Sequence, residues 1–228
     1  MNDLAQNLIE ELQCETVFTI PVLGGIPVSE AVVVTWIIMA VLVVIAFILT
    51  RNLKVDHISK RQAVAESIVT GLMNMVQGMV GEKGNAYVPY LTTVMLYIGV
   101  SNIIGLFGFK SPTKDLRVTV ALALMSIILI EAAGIYHKGV KRWLHGFVEP
   151  VAIVTPINIL EVVTKPLSLC MRLFGNVLGA FVIMELLKMI LPVGLPVVFS
   201  LYFDIFDGLL QAYVFVFLTS LYIDEITE

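Results

Sequence analysis

Glu131, Glu161, Lys165, Arg172, Glu185, Lys188, Asp204 and Asp207 all fall inside long apolar runs of this chain, and all but Glu131 lie in its last third. A charge at the middle of a membrane helix costs roughly 2.5 to 3.5 kcal/mol on insertion scales. Such a concentration of charges therefore points to a path for ions or a charged substrate. At about 100° per residue, Glu161, Lys165, Ser168, Arg172 and Asn176 share a helical arc of about 80°. They form one polar stripe that leads to Arg172. In the next apolar run Asp204, Asp207, Gly208 and Gln211 share a face by the same spacing. Turns counted outward from the break at Leu191 to Pro196 set Glu185 and Asp204 in the outer half of a membrane. The same count sets Arg172 and Gln211 near mid-depth, facing each other, with Glu161 and Lys165 toward the cytoplasm. An outer acidic pocket, a central guanidinium and an inner polar group match two partial aqueous paths that do not meet.

A guanidinium stays protonated under all ordinary conditions and cannot relay a proton itself. It can attract carboxylates. A carboxylate carried past Arg172 on a moving partner is held in its ionised form and must release its ion. Facing lipid, the same carboxylate must be neutral, because an unpaired charge there is costly. Movement and ion transfer are thereby coupled. Gly175 and Gly179 form a small-xxx-small pair beside Arg172, which lets a neighbouring helix come close.

These residues need a membrane-embedded frame, and the composition supplies it. Of 228 residues, 58% are hydrophobic and only 14% charged, with a mean hydropathy of +0.95, far from a water-soluble domain. Runs such as Ala31 to Leu49 do not alternate in polarity, which excludes a transmembrane β-barrel. The fold class is all-α: a polytopic membrane protein of about five membrane helices, the last two a long tilted hairpin, plus an amphipathic interfacial helix. Residues 1–30 form an acidic lead-in with turn signals at Pro21, Gly24, Gly25 and Pro27. Residues 31–87 hold the first span, Ala31 to Leu49, and an amphipathic helix, Gln62 to Val80. Residues 88–136 form a hairpin of spans at Val88 to Phe107 and Val118 to Tyr136. Residues 137–228 hold the ion-translocating pair, Glu149 to Ile190 and Val197 to Ile223. Spread over about 60 Å, the first of that pair is twice the hydrocarbon thickness and must tilt or break at Pro156 or Pro166. Basic clusters at Arg51, Lys54, His57, Lys60 and Arg61, and at Lys138, Lys141 and Arg142, put those loops in the cytoplasm. The amino terminus is then outside and the carboxyl terminus inside.

Other chemistries find little support. Cys14 and Cys170 make no disulfide framework, and His57, His137 and His145 lack metal-ligand spacing. A formal net charge of −4 does not suggest a nucleic-acid partner. No phosphate-binding loop is present and no cofactor is expected. Met1 to Gln13 is acidic, so no cleavable leader is expected. Lys165 and Lys188 can also be read as cations reaching for the interfaces, and Glu131 and Asp207 as buried hydrogen-bonded groups.

Ser168-Leu169-Cys170-Met171-Arg172-Leu173-Phe174-Gly175-Asn176 resembles the signature of subunit a of rotary F-type ATP synthases. Gln211-Ala212-Tyr213, Ser101-Asn102 and Pro112 to Thr119 resemble further motifs of that family, and the resemblance runs from about Val88 onward. It implies a non-catalytic stator in a bacterial plasma membrane, which conducts H+ or Na+ to and from the carboxylates of a rotating c-ring. Partners are then the c-ring and b-type peripheral stalk subunits. The resemblance makes Arg172 the residue essential for coupling and sets Gln211 opposite it. Where many members carry an acidic residue beyond the arginine this sequence has Phe181, with Glu185 one turn later. Asp204 stands where some members have a histidine, so Glu185 and Asp204 together take the outer relay, and Glu161 corresponds to a cytoplasmic-side glutamate. The rival reading is a stand-alone secondary transporter or cation channel with Arg172 binding an anionic substrate. A passive scaffold for a peripheral stalk leaves the charged hairpin unexplained.

Overall fold

Five helices among the described residues are long and apolar enough to cross a membrane. The computed structural model describes residues 16–20, 26–51, 59–107, 109, 111–146, 155–190 and 194–227. Cys14, the turn signals Pro21, Gly24 and Gly25, the basic residues Lys54 and His57, Lys110, the start of the fourth apolar run at Glu149 and the break at 191–193 lie outside them.

The lead-in is not wholly irregular. Strands β1 (Thr16–Ile20) and β2 (Ile26–Ser29) pair antiparallel, with Phe18 opposite Val28. The alternation in so short a stretch was masked by its Gly and Pro content, and this hairpin is the one departure from an all-α chain among the described residues. Ser29 leads directly into α1 (Glu30–Thr50), the first span, whose carboxyl-terminal half is almost wholly exposed within the chain. Helix α2 (Lys60–Gln77) follows, capped where the Ser59 hydroxyl accepts from the Gln62 amide at 3.3 Å. It buries Gln62 and Val76 and exposes Val64, Ile68 and Val69.

Four helices make the centre. Helix α3 (Val88–Ile103) packs on α8 (Gly208–Thr227), and α4 (Leu116–Lys138) lies against both α8 and the long α6 (Thr155–Ile190). Leu91 and Ile98 of α3, Ile130 of α4, Leu169 and Leu173 of α6, and Phe215 and Ile223 of α8 are almost fully buried. Lipid is as apolar as leucine, so these contacts hold by close packing and by hydrogen bonds between helices rather than by exclusion of water. Buried hydroxyls satisfy themselves on their own helices: Thr92 donates to the Val88 carbonyl and Thr219 to the Phe215 carbonyl, each at 2.8 Å.

Helix α6 has 36 residues, about 54 Å at 1.5 Å per residue. It does not break. Pro156 sits in its first turn, where a missing N–H costs nothing, and Pro166 is carried within a continuous helix, which membrane helices tolerate when neighbours support them. The return is where the regular period fails. After α7 (Leu195–Ser200) the chain makes a π-helical turn, Leu201–Asp207, before α8 begins. An α-helical register assumed across this stretch is off by one residue. At the other end of α4, Gly139 at φ 77° closes the helix and sends α5 (Val140–Gly146) back along it.

The lead-in hairpin and the α3–α4 turn are joined by Asp115. Its Oδ1 accepts from the Arg117 amide at 2.9 Å, capping α4, while its Oδ2 accepts from the buried Ser29 hydroxyl at 2.9 Å. Asp115→Ala removes both bonds, and the expected loss is about 1 to 3 kcal/mol. A lower thermal midpoint of the detergent-solubilised protein, with Asp115→Asn losing less, is the outcome to measure.

Candidate functional site

Two polar cavities lie along α6 and α8. The first, of about 650 Å3, is lined by Glu185, Lys188, Ser200, Asp204, Asp207 and Gln211 together with Asn102, Ser111 and Lys114. Lys188 Nζ donates to Glu185 Oε1 at 2.6 Å, and Ser200 Oγ donates to Asp204 Oδ2 at 2.6 Å. Glu185 and Asp204 thus share a cavity, each with its own partner. Lys188 is paired, not simply a cation reaching for an interface. The π turn makes this possible by setting Asp204 and Asp207 toward the cavity that also receives Gly208 and Gln211. Against Asp204 the neighbouring backbone comes close at Gly105, where a Cβ would stand 3.3 Å from Oδ1.

The second cavity, of about 500 Å3, is lined by Glu131, His137, Lys138, Arg142, Trp143, Asn158, Glu161, Lys165 and Glu225. Lys165 Nζ donates to both oxygens of Glu225, at 3.1 and 3.0 Å, and lies 3.8 Å from Glu161. It also sits 5.2 Å from the centre of the Tyr222 ring. Glu131 has a partner after all: because α5 folds back at Gly139, Trp143 Nε1 donates to Glu131 Oε2 at 2.9 Å.

Arg172 lies between the cavities and lines neither. It is half-buried and has no hydrogen-bond or ion-pair partner among the described residues. One turn away, Asn176 Nδ2 donates to Gln211 Oε1 at 2.7 Å. Gln211 is 2% exposed, and its Nε2 has no partner among the described residues. The glutamine is therefore bonded to Asn176, not to Arg172 itself. Ser168, Met171, Gly175 and Asn176 are exposed on α6, and nothing stands within 4 Å of a Cβ built on Gly175 or Gly179. That face has room for another helix.

Residues 32–224 match the family described as ATP synthase A chain. The chain belongs to this family. It is 35% identical to the ATP synthase subunit a of Moorella thermoacetica over 203 residues, which is 88% of this chain and 92% of the relative. It is 30% identical to the ATP synthase subunit a 1 of Crocosphaera subtropica, covering 86% of this chain and 85% of that one. The protein of Propionigenium modestum described as ATP synthase subunit a, sodium ion specific, is 34% identical over 87% of this chain and 74% of its own length.

Subunit a is a non-catalytic, multi-pass subunit of the membrane sector of a bacterial F-type ATP synthase, so this chain works in ATP synthesis and ion transport as part of a complex. Membership sets aside a stand-alone transporter. Sequence spacing set Asp204, Asp207 and Gln211 on one face and Glu161 with Lys165 on one stripe; in the structure the first three share a cavity with Glu185, and the latter two line the other. It missed Glu225, which is far from Lys165 in the chain, and the group formed by Asn102, Ser111 and Thr113. The signal for that group was present in the polar dipeptide Ser101-Asn102 near the end of an apolar span. Phe181, standing in place of the usual carboxylate, lies under Lys114 Nζ at 2.7 Å from the ring centre.

The Lys165 cluster is partly open, with 21% of the lysine side chain and 51% of Glu225 exposed. Such pairs add little. Lys165→Met is expected to change stability by less than about 1 kcal/mol, as read from the thermal midpoint of the solubilised protein, while Gln211→Leu, which strips Asn176 of a buried partner, costs more.

Proposed function

We propose that this chain is the stator that carries H+ or Na+ through two offset half-channels to and from the carboxylates of a rotating c-ring, with Arg172 separating them. The observation that carries this reading is a pair of polar cavities that share no lining residue. Along α6 one reaches as far as Lys165 and the other begins at Val177, a gap of about 18 Å at 1.5 Å per residue. Arg172 stands within that gap. On this reading an ion leaving one cavity does not pass directly to the other; it is handed to a group brought from outside.

The exposed face of α6 is where that group would pass. Gly175 and Gly179 let a ring helix approach, and Arg172, without a carboxylate of its own among the described residues, is free to attract one. The ring carboxylate ionises beside the guanidinium, gives its ion to one cavity, and can move on into lipid only after taking an ion from the other. Glu185, Asp204 and Asp207 serve the outer path, Glu161 the inner one, with Asn176 and Ser168 lining the contact face. Peripheral stalk subunits of b type are the proposed partners of α1 and α2, whose apolar faces are left open within the chain. The amino-terminal hairpin and the α3–α4 turn, joined through Ser29 and Asp115, are then outside, and the carboxyl terminus is cytoplasmic.

The decisive experiment uses vesicles holding the whole synthase. Arg172→Gln is expected to abolish ion-driven ATP synthesis, while Glu185→Gln and Asp204→Asn each slow it by about a hundredfold, the order a positioned proton-transfer group contributes. Full, tightly coupled synthesis with Arg172→Gln would overturn the proposal. Repeating the assay with and without sodium identifies the ion.

A further inference from the structure

Asn102 sits near the end of α3, buried, with its two polar atoms pointing in different directions. Its Oδ1 accepts from the Thr113 hydroxyl at 2.7 Å, and its Nδ2 donates to the Gly208 carbonyl at 3.0 Å. Thr113 is fully buried in the short loop before α4, and that loop is fastened back to α3 where Ser111 Oγ donates to the Ser101 carbonyl at 2.7 Å. Gly208 is the residue on which the π turn ends: its N–H is shared between the carbonyls of Ile205 and Phe203. A Cβ on Gly208 would stand 2.7 Å from Cβ of Asn102. Only glycine permits this approach.

A π turn is rare because it holds one residue more than an α turn and packs less well around its axis, so it persists where neighbours hold it. Were this one to relax to α geometry, everything on its amino-terminal side would rotate by about 100°, the angle of one residue. Asp204, midway along the turn, would rotate through about half that angle, away from the cavity that it shares with Glu185. We infer that Asn102 is a positioning residue: its carboxamide locks the π turn at Gly208 and thereby aims Asp204 and Asp207 into the outer cavity. The inference rests on the proposed outer ion path for its functional consequence, though the lock itself is independent of that path.

The test reads geometry and function separately, in vesicles of the whole synthase whose Cys14 and Cys170 are replaced by alanine. With Asp204→Cys as reporter, a small membrane-impermeant thiol reagent added outside should label the thiol, and adding Asn102→Leu should slow labelling about tenfold or more. Thr113→Val, which removes only the brace on Asn102, should slow it less. With Asp204 intact, Asn102→Leu should lower ion-driven synthesis by about tenfold to a hundredfold and shift its pH profile, while the complex still assembles and hydrolyses ATP. Labelling that is indifferent to both Asn102→Leu and Thr113→Val overturns the lock, even if Asp204→Asn abolishes synthesis. Labelling that depends on Asn102 while Asp204→Asn leaves synthesis intact upholds the lock and removes the outer ion path instead.

Discussion

A positive group that cannot give up its charge is set inside a helix that crosses a membrane, and the surroundings of Arg172 follow from that constraint. Neutralising it with a carboxylate of the same chain would be the simplest arrangement and would leave it inert. Instead, the nearest polar neighbours along the site, Asn176 and Gln211, are uncharged and bonded to each other at 2.7 Å. Three of the carboxylates along the cavities have partners of their own: Glu185 with Lys188, Asp204 with Ser200, Glu225 with Lys165. Glu185 and Glu225 are thus balanced by lysines and Asp204 is held by a hydroxyl, whereas Arg172 has no charged partner among the described residues. The F-type subunit a family supplies the setting in which such an arrangement is useful.

Polar groups also hold the path together, some of them from within its own lining. Asp115 joins the lead-in hairpin to the α3–α4 turn, Asn102 joins that turn to the π segment, and Trp143 reaches back to Glu131. Each link joins separate elements through a directed bond. In a medium that provides no hydrophobic drive between helices, such directed bonds fix relative position where packing alone leaves freedom.

Much of this was legible in the residues alone. The spans α1, α3 and α4 follow from apolar length, and their ends fall within a few residues of expectation because charged clusters and turn residues mark the interfaces. The arginine motif carried the family. The π turn was not legible, since Leu201–Asp207 has no residue that demands an i→i+5 bond, and the Gly208 that permits it reads equally as a helix-packing glycine. Continuity through Pro166 was likewise hidden, because support from neighbouring helices decides whether a proline breaks a helix. The pairing of Lys165 with Glu225 depends on how α6 and α8 are spaced, which periodicity within either helix does not encode. The lead-in strands were obscured by the turn residues between them.

That spacing is set by a third party. Helices α6 and α8 touch α4 far more extensively than they touch each other, so α4 acts as a shim between the two working surfaces. Its contact positions are small where the fit is tightest: Ala123, Ser126, Ala133 and Gly134 are buried, and a Cβ on Gly134 would come within 2.8 Å of Ile226. The spacing between the helices that carry Arg172 and Gln211 is thus written in a helix that carries neither of them. A methyl group added at Gly134 would press on the Ile226 and Trp143 side chains and so act on that spacing from a position remote from Arg172.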